Sequence, residues 1–280
     1  MELTKDQLPF TKAEYYAAIQ KYADNVQEEL GGRTREKVSA SAIGDCSRKI
    51  LADLRGIPTT NLGRADSVVT MEQGRTFEEI PIEAFTRAGA FIERGMSLPD
   101  SYPLAGHPDG QLTFYGDKAN VWDGYKWGWE HKLLGRYQYK ETMANGFAIA
   151  NPGYMAQILI YGHALDWDRV LVQVTAQDAS SITAEYNQEK RKKEPAAWAT
   201  DPEFDPKTLF FGYDIQAMFP LVPQLHQRAA EILAIPEAKD IAREYSGTVN
   251  FPCNYCRVKD WCNTVGDGGI EVTPTPFGKK

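Results

Sequence analysis

The 280-residue sequence predicts an α/β core. Three observations carry that expectation. Apolar residues recur at helical spacing through the N-terminal third; the middle breaks into short runs punctuated by Gly, Pro and Asp; and a helical stretch, then the apolar run RVLVQVTA, follows them. The resulting strand–strand–strand–helix–strand order is that of an α/β core.

Residues 11–30 read as a helix, with Tyr15, Ala18, Ile19, Tyr22, Val26 and Leu30 on one side and Gly31-Gly32 as the stop. A second helix is predicted over 46–54, ended by Gly56-Ile57-Pro58. A third is predicted over 67–88, closed by Gly89, with a kink or break at Pro81. Strands are predicted at 91–98, 104–115 and 121–133, a helix at 154–165 and a buried strand at 169–176. Residues 182–193 read as a charged helix, 198–208 as a loop and 215–245 as largely helical. The Gly-, Pro- and Thr-rich residues 264–280 read as extended or disordered at the end. The organisation expected is one domain over 1–265, followed by a tail over 266–280. Its parts are a helical region at 1–88, an α/β core at 89–180 and a second helical region at 181–265.

A net charge of −7 argues mildly against a polyanion partner. Acidic residues that hold cations can still sit within a local basic groove. Arg48-Lys49 and Lys190-Arg191-Lys192-Lys193 are candidates for such positive charge; a solvated helix face is the plainer account of the second run. Residues 1–10 hold no signal-peptide core and no stretch approaches a membrane span, which predicts a cytoplasmic protein without a membrane partner. In that compartment four cysteines bind metal more readily than they form disulfides.

Asp109, between Pro108 and Gly110, is expected at a bend. Glu130 and Lys132 lie two apart on a strand, so both side chains share one face and His131 points the other way, its carbonyl free to ligate. Two carboxylates and an ammonium brought together can bind a cation and position water, which phosphodiester hydrolysis needs. The plain alternative is a solvated, salt-bridged strand, but Trp127, Trp129, Leu133 and Leu134 frame Glu130 with apolar bulk. Gln157 and Tyr161 are four apart on a helix, placed to contact phosphate, to support Lys132 or simply to bond each other. Glu78 is a candidate third ligand, with Glu79 facing elsewhere; surface acids on a helix are the plainer reading.

The four cysteines are Cys46, alone, and Cys253, Cys256 and Cys262, clustered. One remote cysteine plus a trio fits an iron–sulfur cubane better than the paired cysteines usual for zinc, and leaves zinc open. Free thiols and a redox Cys-x-x-Cys are the alternatives. Phe251, Tyr255 and Trp261 would shield such a centre, whose role would be to close a long loop.

Taken in order, these motifs resemble the RecB-type branch of the PD-(D/E)XK nucleases that carry a four-cysteine iron–sulfur cluster. That group includes CRISPR-associated adaptation exonucleases, phage exonucleases and AddB-type nuclease domains. Gly106-His107-Pro108-Asp109 matches the family's Gly-x-x-Asp, Glu130-His131-Lys132 its Glu-x-Lys, and Gln157 through Tyr161 its Gln-x-x-x-Tyr. Cys46, Cys253, Cys256 and Cys262 match its cysteines, and the match runs over about residues 40–265. The resemblance implies a restriction-endonuclease-like core, a central mixed sheet flanked by helices, with a helical wrap closed by a 4Fe–4S cluster. It implies Mg2+ or Mn2+ on Asp109, Glu130 and the His131 carbonyl, with Lys132 assisting the attacking water and Gln157 and Tyr161 positioning the strand. One departure stands out: Glu78 occupies the register, counted from Gly74, where many relatives carry a ligating histidine.

The function expected is therefore a metal-dependent deoxyribonuclease, a single-strand exonuclease above all. It would act on single-stranded or end-containing duplex DNA, beside phage recombination, repair or CRISPR-adaptation proteins. The rival readings are a non-catalytic DNA-binding subunit of the same fold and a zinc-stapled hydrolase of another kind.

Overall fold

The structure, a computed structural model, describes residues 36–57, 78–119, 124–195, 207–245, 253 and 256–277. In chain order its elements are β1 (Val38–Ser39), α1 (Ser47–Leu54), α2 (Glu79–Arg87), β2 (Ala90–Glu93), β3 (Leu104–Ala105), β4 (Gly110–Phe114) and β5 (Trp127–Leu134). There follow α3 (Arg136–Asn145), α4 (Phe147–Ala150), α5 (Pro152–Leu165), β6 (Arg169–Ala176), α6 (Ala179–Lys190), β7 (Thr208–Asp214), α7 (Val222–Ala234) and α8 (Lys259–Thr264). The helix expected at 11–30 and the first half of that expected at 67–88 lie outside the described residues.

The chain divides into two compact units. The larger comprises Val38–Gly44, Thr76–Ala230 and Thr273–Lys280. Its five-stranded sheet has the order β2-β4-β5-β6-β7, antiparallel except for the parallel pair β5–β6. A parallel neighbour requires a crossover, and α3, α4 and α5 supply it. The result is the mixed sheet flanked by helices that the sequence led us to expect. β5 lies at its centre, and β6 beside it has Val170, Val172 and Val174 fully buried. On one face α2 sets Ile82 and Phe85 against Ala90, Ile92, Leu112 and Trp129. The helix α5, rich in apolar residues on every side, packs against β6.

Several elements differ from expectation for physical reasons. α2 runs unbroken through Pro81, which sits in its first turn, where an N–H has no helical acceptor to lose. β7 forms where only the end of a loop was expected. The span 215–245 is helical only in part: a 3-10 turn Gln216–Leu221, then α7, which stops at Ala234 just before Pro236. Beyond it, Ile241 is buried through a parallel bridge to Ile270, not through a helix face. Apart from the bridge at Ile270 the tail is irregular over 265–277, with Gly266 and Gly269 at positive φ and a turn at 276–277, and Arg228 and Gln224 donate to the carbonyls of Thr273 and Pro274.

The smaller unit comprises Met1–Lys37, Asp45–Arg75 and Glu231–Val272. Arg48 corrects the expectation of a basic groove at Arg48-Lys49: it is only 1% exposed and donates to the carbonyls of Ile241, Lys239 and Gly266. A guanidinium can cap several carbonyls at once, so this arginine ties α1 to the segment that follows α7. Lys49 pairs with Asp45 at 2.7 Å. Lys190, Arg191, Lys192 and Lys193 are exposed at the end of α6, the solvated alternative.

Candidate active site

The site lies in the larger unit, at the edge where β4 begins beside β5. The β4–β5 ladder starts at Gly110–Trp129, so Asp109, at a bend, stands opposite Glu130. The Asp109 N–H donates to Glu130 Oε1 at 3.3 Å, and the His131 N–H donates to Asp109 Oδ2 at 2.8 Å. Side chains thus continue the ladder one step past its last backbone pair. In an extended strand a residue's N–H and C=O leave the same edge, so the His131 carbonyl also faces the Asp109 side.

Lys132 shares the Glu130 face. Its Nζ donates to Glu130 Oε2 at 2.7 Å and lies 3.7 Å from Asp109 Oδ2. Glu130 is fully buried and Lys132 13% exposed. Burial, and then Asp109, pushes the Glu130 carboxyl well above the usual carboxylate range, with Lys132 pulling it back. Burial alone would lower the Lys132 ammonium; Glu130 and Asp109 overcome it and hold the lysine protonated. The His131 ring lies on the opposite face, bonded to Thr175 Oγ1 at 2.9 Å and stacked on Trp129. Burial holds it neutral, down to about 4.

On α5, Gln157 Nε2 donates to the Tyr161 hydroxyl at 3.1 Å. Burial, then Glu130, raises that hydroxyl to about 12, so it remains a donor. A Cβ on Gly106 would stand 2.8 Å from the Tyr161 ring, which gives the glycine of Gly106-His107-Pro108-Asp109 a physical reason: it makes room for the tyrosine. Tyr154 was not singled out in the sequence. Its ring lies 5.3 Å from Lys132 Nζ, and its helical spacing from Gln157 and Tyr161, three and seven residues, was the available signal.

Glu78 lies at the rim, 21% exposed, 3.2 Å from Arg94 Nη2. Burial and then Asp109 raise its carboxyl, while Arg94 and Lys132 lower it. Glu79 turns outward and takes the other arm of the same guanidinium at 2.7 Å. Arg94 belongs to no sequence motif and was not foreseen.

Among the described residues no three His, Cys, Asp or Glu side chains stand together as a ready metal cage. The donor chemistry nonetheless suits a hard divalent cation: the carboxylates of Asp109 and Glu130 share one ammonium, Glu78 lies at the rim, and the His131 carbonyl faces the same edge.

The four cysteines all lie in the smaller unit. Cys46 precedes α1; Cys256 N–H donates to the Cys253 carbonyl at 3.1 Å, and Cys262 lies on α8. Burial pushes the Cys46 thiol up to about 11, with Glu244 and Cys256 adding to it. Burial also raises Cys256, with Cys262 and Cys253 contributing. Cys256 is thus an electrostatic neighbour of Cys46; four soft donors would suit iron or zinc, but among the described residues no three of the thiols stand together as a metal cage. Trp261 is partly buried on α8; Phe251 and Tyr255 lie outside the described residues.

No family model matches the chain, and no curated protein matches it. Among solved structures it is similar to an alkaline exonuclease from Laribacter hongkongensis, at 15% identity over 76% of this chain and 91% of that one, with a TM-score of 0.43. It is also similar to a phage-related exonuclease from Haemophilus somnus 129PT, at 13% identity over 70% of this chain and 93% of that one, with a TM-score of 0.39. Among the described residues no helix is long and apolar enough to cross a membrane.

Proposed function

We propose that the chain is a metal-dependent deoxyribonuclease, and that single-stranded DNA with a free end is its substrate. The observation that carries this reading is Lys132 Nζ held at 2.7 Å from a fully buried Glu130 and 3.7 Å from Asp109. Burying that many charges is costly, and a solvated salt bridge would not need it. Asp109, Glu130 and the His131 carbonyl would hold Mg2+ or Mn2+, with Glu78 as a further carboxylate. When bound, the metal supplies charge neutralisation at phosphate and a more acidic water.

The chain's own groups do the rest. Lys132, protonated and fixed by two carboxylates, orients a water and offsets charge on the phosphate oxygens. Tyr154 walls the lysine on one side. Gln157 locks the Tyr161 hydroxyl, leaving that hydroxyl's proton for a phosphate oxygen. The exonuclease preference, and work beside recombination, repair or CRISPR-adaptation proteins, follow from the resemblance of the ordered motifs. So does a 4Fe–4S cluster on Cys46, Cys253, Cys256 and Cys262, which would brace the smaller unit.

The test is incubation of anaerobically purified protein with end-labelled single- and double-stranded DNA, with Mg2+, Mn2+ or chelator. Metal-dependent cleavage lost in Glu130→Ala and Lys132→Ala is the expected result, and the label gives polarity. Metal binding without cleavage of any substrate would overturn it in favour of a binding subunit.

A further inference from the structure

Arg94 follows directly on β2 and stands at the rim of the site, 42% exposed. Its fork is divided: Nη1 donates to Glu79 Oε1 at 2.7 Å and Nη2 to Glu78 Oε2 at 3.2 Å. We propose that Arg94 is a metal-released phosphate ligand: it neutralises Glu78 while no cation is bound, and takes a DNA phosphate when Glu78 turns to the metal. This rests on the nuclease reading above and adds to it a residue with its own ligand.

Three features support the exchange. Glu78 is held by Arg94 at 3.2 Å, and Asp109 and Lys132 both act on its carboxyl. Its lone pairs therefore serve either the guanidinium or a cation held with Asp109. Next, the two arms are unequal. Glu79 is 65% exposed and holds the shorter bond, so it retains the guanidinium when Glu78 leaves. Nη2 then carries unpaired N–H groups at the rim of the site. Finally, a planar guanidinium matches phosphate geometry, and a chain of net charge −7 needs local cations to hold a polyanion.

The exchange requires two effects of opposite sign from one substitution. In the full chain without DNA, Arg94→Gln should bind Mn2+ about threefold more tightly than wild type, read by paramagnetic resonance of free Mn2+, because a partly exposed ion pair no longer competes. The same variant should bind a fluorescent single-stranded oligonucleotide more weakly in Ca2+. Its logarithmic salt dependence should be shallower by about 0.7, the loss of one phosphate contact. Arg94→Lys keeps the charge and should keep both the wild-type salt slope and the wild-type Mn2+ affinity, and Arg94→Met serves in place of Arg94→Gln if thermal melting shows the latter unfolded. Unchanged or weaker Mn2+ binding, or an unchanged salt slope in Arg94→Gln, overturns the proposal alone. A wild type that binds neither Mn2+ nor DNA overturns it together with the nuclease reading.

Discussion

Lys132 and Glu130, two residues apart on β5, are joined at 2.7 Å with the glutamate fully buried. Removing the ammonium leaves that carboxylate beside Asp109 with no cation. Lys132→Ala should therefore destabilise the metal-free chain by about 3 kcal/mol. The sign with pH follows from the raised Glu130 carboxyl. A carboxyl raised in the fold contributes stability below its unfolded value, and loses that contribution as pH rises through the folded one. The Lys132→Ala deficit should thus be smallest where Glu130 is protonated in both proteins and grow as pH rises through about 8, where the wild-type carboxyl ionises beside its lysine and the variant's cannot; Mg2+ should recover part of it. Urea unfolding with and without Mg2+ measures both; a deficit insensitive to pH and Mg2+ would sink the account.

Gly128, two residues before Glu130, shows how tightly this strand is packed. A Cβ there would stand 2.0 Å from Trp167 Cε3, and Trp167 is fully buried with its Nε1 donating to Gln111. Gly128→Ala should cost about 2 kcal/mol through overpacking. Because β5 must shift to relieve the clash, nuclease activity should fall with it. A melting temperature equal to wild type would refute this packing.

Legibility in the sequence followed how local each signal was. The strand Arg169–Ala176 was readable to its ends, because an interior strand, paired on both sides and largely buried, reads as a Val- and Leu-rich run. Period two placed Glu130 with Lys132 and His131 opposite, and α5 was recognised within two residues of its start. The helices α3 and α4 escaped notice: they bury only Tyr139, Thr142, Phe147 and Ala150, too few to draw a stripe, and Gly146 divides them at φ +80°. β7 is a sheet-edge strand whose exposed Phe210 blurs alternation. Arg94 could not be foreseen, because its meaning depends on two carboxylates some fifteen residues earlier in the chain.

The Tyr102 hydroxyl joins His163 Nδ1 at 3.0 Å and His226 Nε2 at 2.9 Å, with Phe219 against the His163 ring. Burial, then His163, holds the His226 imidazole below its ordinary value. The unfolded chain therefore takes up a proton before the folded one does as pH falls below about 6.5. The His226 contribution to stability should be flat above that value and decline below it. His131, held down to about 4, adds to the decline with the same sign. His226→Gln should flatten the curve between pH 6.5 and 5, measured as urea midpoints; an unchanged slope would exclude His226 as a contributor.

Arg48 is where the smaller unit concentrates its polar anchoring. It is buried, it caps the carbonyls of Ile241, Lys239 and Gly266, and its Nη1 lies 3.6 Å from Cys262 Sγ. Arg48→Met preserves bulk but leaves those carbonyls without their donor, at about 3 kcal/mol. The same change removes a positive charge from beside a thiol proposed to bind the cluster, and loosens α1, which Cys46 precedes. Arg48→Met should therefore lose both stability and the visible absorbance of anaerobically reconstituted protein. Cys46→Ser should lose the absorbance chiefly, since its hydroxyl can fill the same space without acting as a soft ligand. Full absorbance in Cys46→Ser would remove the lone cysteine from the ligand set, and with it the reason for pairing that residue with the distant trio.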